Sequence, residues 1–142
     1  MSVLSDQLKF ELLSRTRVIA VVGLSPKPQR PSHRVAKYLQ ERGYQIVPVR
    51  PGVSEILNEK VYKNIADIPF KIDLLNVFRA SEHVPAIIDE CIQLKIDAVW
   101  LQEGIIHEQA AQKACQHGIL MTMDKCIYKE IERLGVKPLN TQ

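Results

Sequence analysis

No run of apolar residues in this 142-residue chain approaches the roughly 20 needed to cross a bilayer, so no membrane segment is expected. The opening stretch MSVLSDQLKFELL breaks its leucines with Asp6, Lys9 and Glu11. That is not the pattern of a secretory signal, and it points to a cytoplasmic protein. Cysteine is scarce: Cys91, Cys115 and Cys126 form an odd, widely spaced set with no disulfide framework and no CxxC metal clip. Packed thiols in a reducing compartment are the expectation. Aromatic residues make up only 6% of the chain and are not interleaved with basic runs, which leaves no stacking platform for nucleic acid. Glycine is sparse as well, and neither GxGxxG nor GxxxxGK(S/T) occurs.

The remaining composition, 46% hydrophobic and 25% charged, is that of an ordinary globular domain long enough to bury a core without staples. The net charge of +3 is small but unevenly spread. Between residues 27 and 50, Lys27, Arg30, Arg34, Lys37, Arg42 and Arg50 face a single anion, Glu41. A basic zone on an otherwise near-neutral chain suggests an anionic small ligand or an acidic patch on a partner.

Five short, nearly continuous apolar runs, at 18–22, 46–49, 74–78, 98–101 and 119–123, read as strands buried on both faces of a parallel sheet. Pro48 fits only where pairing is ending. Between the runs lie helical patterns. One is capped by Ser32 and closed by Gly43; another opens at Ser81 and buries Val84, Ile87, Ile88, Cys91 and Ile92. A third covers 106–116, and a fourth starts near Asp124 and stops at Gly135. An additional N-terminal helix places Leu4, Leu8 and Leu12 on one stripe. A short helix is expected at 64–67 within the irregular stretch 51–71. Repeated strand–helix–strand units predict an α/β domain with right-handed crossovers and helices on both faces of the sheet. The chain divides into an N-terminal helix (1–14), the domain proper (15–135) and a tail (136–142).

In such a sheet, ligands bind beyond the carboxyl ends of the strands, near the switch point in strand order. After the first strand, Gly23 allows a tight turn, Ser25 and Ser32 offer hydroxyls, and Lys27 and Arg30 offer charge beside the next helix start. These are parts of a diphosphate site, although three prolines stiffen a loop that usually relies on glycine. After the second strand stands Arg50, where NAD-binding domains carry an acid for the ribose hydroxyls. A guanidinium there favours a ribose phosphate, as in NADP or coenzyme A. Phe78 could lie against an adenine, and Arg79 sits at a helix start, where a cation is unfavourable without an anion nearby. Gln102 could hydrogen-bond an amide-bearing tail. His33 and His83 lie at helix starts within reach of phosphate, and Trp100 reads as core. No Ser-His-Asp arrangement, nucleophile elbow or metal-ligand spacing stands out, so no catalytic or metal residue is assigned. The chain reads as a binding module more than an enzyme, with a small NADP-dependent oxidoreductase as the alternative.

The stretch VVGLSPKPQRPSHRVAKYLQERGY, then NVFRASEHVP, WLQEGI followed by EQAA, and MDKC closely resemble, in that order, the stand-alone CoA-binding domain proteins. These are similar to the N-terminal domain of the succinyl-CoA synthetase α subunit. The resemblance covers about residues 15 to 134. It implies a Rossmann-like three-layer fold with a five-stranded parallel sheet of order 3-2-1-4-5, binding coenzyme A or an acyl-CoA across the strand ends. On matching positions, the loop with Gly23, Leu24, Ser25, Lys27, Arg30 and Ser32 would hold the diphosphate. Val49, Arg50 and Pro51 would flank the adenosine. Phe78 and Arg79 would form the next wall, and Gln102, Glu103 and Gly104 the pantetheine side; Arg34 and His83 are counted as further candidate binding residues. Cys126 would stand near the coenzyme thiol. The ligase domain that carries the synthetases' phosphorylated histidine is not matched, so the implied partners are the small molecule itself and a second copy or a partner enzyme subunit. Arg50, where relatives often carry Asn or Ser, and Ile127, where they often carry proline, are departures from the pattern.

Overall fold

A computed structural model describes residues 4–139. Helix α1 (Asp6–Arg15) precedes strand β1 (Val18–Val22). Then come α2 (Pro31–Glu41), β2 (Gln45–Val49), the two-residue strands β3 (Glu55–Ile56) and β4 (Glu59–Lys60), and a 3-10 turn at Ile65–Asp67. The second half alternates β5 (Leu74–Val77), α3 (Val84–Leu94), β6 (Ala98–Leu101), α4 (Glu108–Gln116), β7 (Leu120–Thr122) and α5 (Ile127–Leu134). A 3-10 turn at Ser81–His83 leads into α3.

The main sheet has five strands, all parallel, in the order β2-β1-β5-β6-β7. This is the Rossmann-like pattern the sequence predicts. Counted along the chain, these five strands stand in the order 2-1-3-4-5: β5, the third, pairs with β1 and not with β2, and Tyr62 adds a single parallel bridge to Val49 on the outer side of β2. Pro48 lies on β2, at the margin of the sheet. Its carbonyl accepts from the Tyr62 N–H at 3.0 Å. The peptide edge of Pro48 therefore faces away from β1, where a missing N–H costs no ladder bond.

Alternation along the strands divides the core in two. Ile19, Val21, Ile46, Leu74, Ala98 and Trp100 pack against α1, α2 and α5. Ala20, Val22, Val47, Leu75, Val77, Val99, Leu101 and Met121 pack against α3 and α4. Because the strands of the main sheet are covered on both faces, their sequences are mostly apolar rather than alternating. Cys91 is buried on α3, and burial pushes its thiol up to about 12.

Four local expectations change. Leu8 is 46% exposed; Leu12, Leu13 and Lys9 face inward instead. Lys9 is drawn in because its ammonium meets Glu130 of α5 at 2.8 Å, with both side chains 7% exposed. Arg133 extends this pair to Asp6. Ser32 does not cap α2: Arg30 holds the cap position, Pro31 opens the helix, and the Ser32 hydroxyl accepts from the Ser25 N–H at 2.9 Å. The last helix begins at Ile127 rather than near Asp124, whose φ of 62° interrupts helical geometry. Finally, 51–71 holds a small β3–β4 hairpin turned by Leu57 and Asn58, both at positive φ, ahead of the expected turn at 65–67.

Candidate functional site

The switch in strand order lies at β1, between β2 and β5, and a groove opens beyond the carboxyl ends of these strands and β6. Its first part, of about 510 Å³, is bounded by Gly23, Ser25, Lys27, Arg30, Ser32, Arg50 and Phe78. Its second part, of about 880 Å³, runs between α2 and α5 past Arg79 and Gln102. The two share Pro31 and Phe78 in their linings and so adjoin along the strand ends.

Gly23 is fixed by geometry. Its φ is 84°, and a Cβ there would lie 2.5 Å from the Phe78 carbonyl oxygen. Glycine therefore lets the turn after β1 close against the end of β5. The loop that follows is braced from within. Ser25 Oγ accepts from the Lys27 N–H at 3.1 Å, and the Ser25 carbonyl lies 2.9 Å from His33 Nδ1. Since a carbonyl only accepts, His33 must donate at Nδ1. It acts as a brace for the loop and is 8% exposed. The start of α2 is largely closed on itself, because Pro31 has no N–H and the His33 and Arg34 N–H groups donate to the Arg30 carbonyl. Charge in this half of the groove comes instead from side chains. Among the described residues, Lys27, Arg30 and Arg50 of this half, and Arg34 and Arg79 of the other, form no ion pair with a carboxylate, whereas Lys9, Lys113, Lys129 and Arg133 do.

The floor of the second half is a buried polar network. Gln102 is 4% exposed, and its Oε1 accepts from Asn76 Nδ2 at 3.1 Å and from the Ile127 N–H at 3.0 Å. The first amide of α5 is thus pinned to the end of β6. Trp100 Nε1 donates to the Lys125 carbonyl at 2.9 Å and fixes the approach to that helix. Across the groove, Tyr38 and Tyr128 meet edge to face with centroids 4.3 Å apart. The Tyr38 hydroxyl donates to Glu132; burial first, and that carboxylate second, hold it well above the usual tyrosine range. Lys129 donates to Glu103 at 3.1 Å at the groove's rim, and this bond raises the lysine's pKa.

Most residues singled out from sequence meet in this groove. Gly23, Ser25, Lys27, Arg30, Ser32, Arg50 and Phe78 form its basic half, and Arg34, Phe78, Arg79, Gln102 and Glu103 belong to the other half. Leu24 and Val49 turn their side chains into the two cores. Pro51, His83 and Gly104 are exposed outside the lining, and the Gly104 N–H donates to Asp124 at 2.7 Å. Sequence reasoning did not assign Val35, Tyr38, Ile105, Tyr128 and Lys129 to the site, although all five line it. Val35 and Tyr38 carried a readable signal, standing four and seven residues after Pro31 on one helix face. The α5 residues carried none, because α5 reaches the groove only through tertiary packing.

Among the described residues no three metal-ligating side chains cluster, and no helix is long and apolar enough to cross a membrane. The profile of the CoA binding domain family matches residues 17–132. The chain is 41% identical over 117 residues to the uncharacterized protein YneT of Bacillus subtilis, covering 82% of this chain and 87% of that one. It is 33% identical over 98 residues to the subunit alpha of an ADP-forming acetate–CoA ligase I from Pyrococcus furiosus; this is 65% of this chain but only 21% of the ligase subunit. The fold superposes with a TM-score of 0.88 on a hypothetical protein from Pyrococcus horikoshii, at 36% identity over 92% of each chain.

Proposed function

The chain belongs to the CoA binding domain family, and on that premise we propose that it binds coenzyme A along this groove without catalysing a reaction of its own. The observation that carries the reading is the group of cations without a carboxylate partner, Lys27, Arg30 and Arg50 in the first half and Arg34 and Arg79 in the adjoining half, whose remaining lining is mostly apolar. That polarity matches a molecule with a phosphorylated nucleotide at one end and an amide-bearing arm at the other. Lys27 and Arg30 neutralise the diphosphate, whose oxygens approach the turn that Gly23 allows to close against Phe78. Arg50 pairs with the ribose phosphate, and Phe78 packs beside the nucleotide where the two halves join. Gln102 spends its oxygen on Asn76 and Ile127, which leaves its amide N–H groups to meet the arm.

Calorimetric titration tests the reading directly. Coenzyme A should bind, NADPH should not, and dephospho-CoA should bind at least tenfold more weakly, since a charge-assisted contact is worth about 1.5–3 kcal/mol. Arg50→Glu should erase the difference between coenzyme A and dephospho-CoA. Preference for NADPH would instead favour the oxidoreductase alternative.

A further inference from the structure

We propose that the half of the groove between α2 and α5 is an acyl subsite, so that the preferred ligand is an acyl-CoA thioester rather than free coenzyme A; this rests on the binding mode proposed above.

The chemistry of the walls changes along the groove. Near Phe78 it offers cations and, at Gln102, an amide suited to the pantetheine arm. Beyond Gln102 the lining turns apolar: the Val35 side chain, the Tyr38 and Tyr128 rings, Ile105 and the small Cys126 side chain. Arg34 and Arg79 also line this half and carry no carboxylate partner, so they belong with the cations that face the nucleotide; two other polar groups of the lining are engaged within the protein. The Tyr38 hydroxyl is bonded to Glu132, and Lys129 is bonded to both oxygens of Glu103. This half is also the larger, about 880 Å³ against about 510 Å³ for the half that faces the nucleotide. A free thiol would leave most of that apolar wall wetted. A hydrocarbon chain esterified to the sulfur would cover it, including Tyr128, which is 41% exposed in the free protein. The occupant is assigned by adjacency: the cleft adjoins the basic half at Phe78 and Pro31, which line both, so a ligand held by its nucleotide in the basic half extends its thiol end toward the cleft.

The test is a titration series of coenzyme A, acetyl-CoA, butyryl-CoA, hexanoyl-CoA and palmitoyl-CoA against the whole protein, with sedimentation measured on the same samples. Each buried methylene contributes roughly a fourfold gain. Hexanoyl-CoA should therefore bind at least tenfold more tightly than coenzyme A, with the gain levelling off once the chain outgrows the cleft. Tyr128→Asp, at an exposed position, should bring the hexanoyl-CoA to coenzyme A affinity ratio down toward one. Val35→Phe, which fills the cleft, should do the same. Coenzyme A binding with a flat acyl series would overturn the acyl subsite and leave the parent reading standing. No binding of any CoA species would overturn both. A dimer dissociated by Tyr128→Asp, together with a flat series, would show that a second copy covers the cleft and would also overturn the proposal.

Discussion

The two faces of the sheet are built from different material. On the α3–α4 side, Leu75, Val77, Val99, Leu101 and Met121 meet Ile88, Cys91, Ala111 and Ala114, all 1% exposed or less. On the α1–α2–α5 side the hydrocarbon is interrupted by the Lys9–Glu130 pair and by Asn76 and Gln102. That side also holds Asn76 Oδ1 and Thr122 Oγ1, the buried side-chain atoms without a hydrogen-bond partner among the described residues. The groove opens on this second face. A dry face can be filled by any well-shaped set of aliphatic side chains, so it fixes the sheet and little else. Buried polar groups cost desolvation and must be aimed. Here they pin α5 to the sheet and hold α1 against α5, so they determine where the second wall of the groove stands.

The contrast yields measurable consequences. Ile88→Ala on the dry face should cost about 3–4 kcal/mol in denaturant unfolding, by lost burial and an unfilled cavity. That loss should be the same at pH 4 and pH 8. Gly23→Ala should cost about 2–3 kcal/mol, from left-handed strain and contact with the Phe78 carbonyl, and should abolish coenzyme A binding in the same preparation. Glu130→Gln should cost about 2 kcal/mol, because it leaves Lys9 buried without its anion. Its signature is pH dependence. The neighbouring Arg133 first, and Lys9 after it, hold the Glu130 carboxyl down to about 2, below its ordinary 4.5. A depressed carboxylate stabilises the fold fully above pH 4.5, and that stability is lost as pH falls toward 2. The variant should therefore lose the part of the acid limb between those values, and an unchanged acid profile would contradict the role given to the pair. Arg30→Ala should change stability by no more than about 0.5 kcal/mol, as for an exposed cation with no ion pair, while weakening coenzyme A roughly tenfold.

Much of the site could be read in advance because it is local. The turn after β1, Arg50 after β2 and Phe78 with Arg79 after β5 each sit within a few residues of a strand end, and strand ends follow from the apolar runs. Pro51 and His83 are at such ends too, yet their side chains do not line the groove; position in the chain predicts proximity and not direction. Leu8 illustrates a second limit. A leucine stripe at helical spacing predicted burial, but Lys9 took the inward place because an anion on α5, 121 residues away, made a buried ammonium tolerable. The β3–β4 hairpin escaped notice because two-residue strands are too short for periodicity to register.

Apolar runs, helix patterns and turn residues were enough to specify strands, helices and a parallel α/β sheet, since each depends on contacts within one element or between a strand and the nearest helix. The far wall of the groove, the inward lysine and the aim of Gln102 depended on α5 meeting α2, α1 and the end of β6. Those encounters join residues distant in the chain, and no short-range periodicity encodes them.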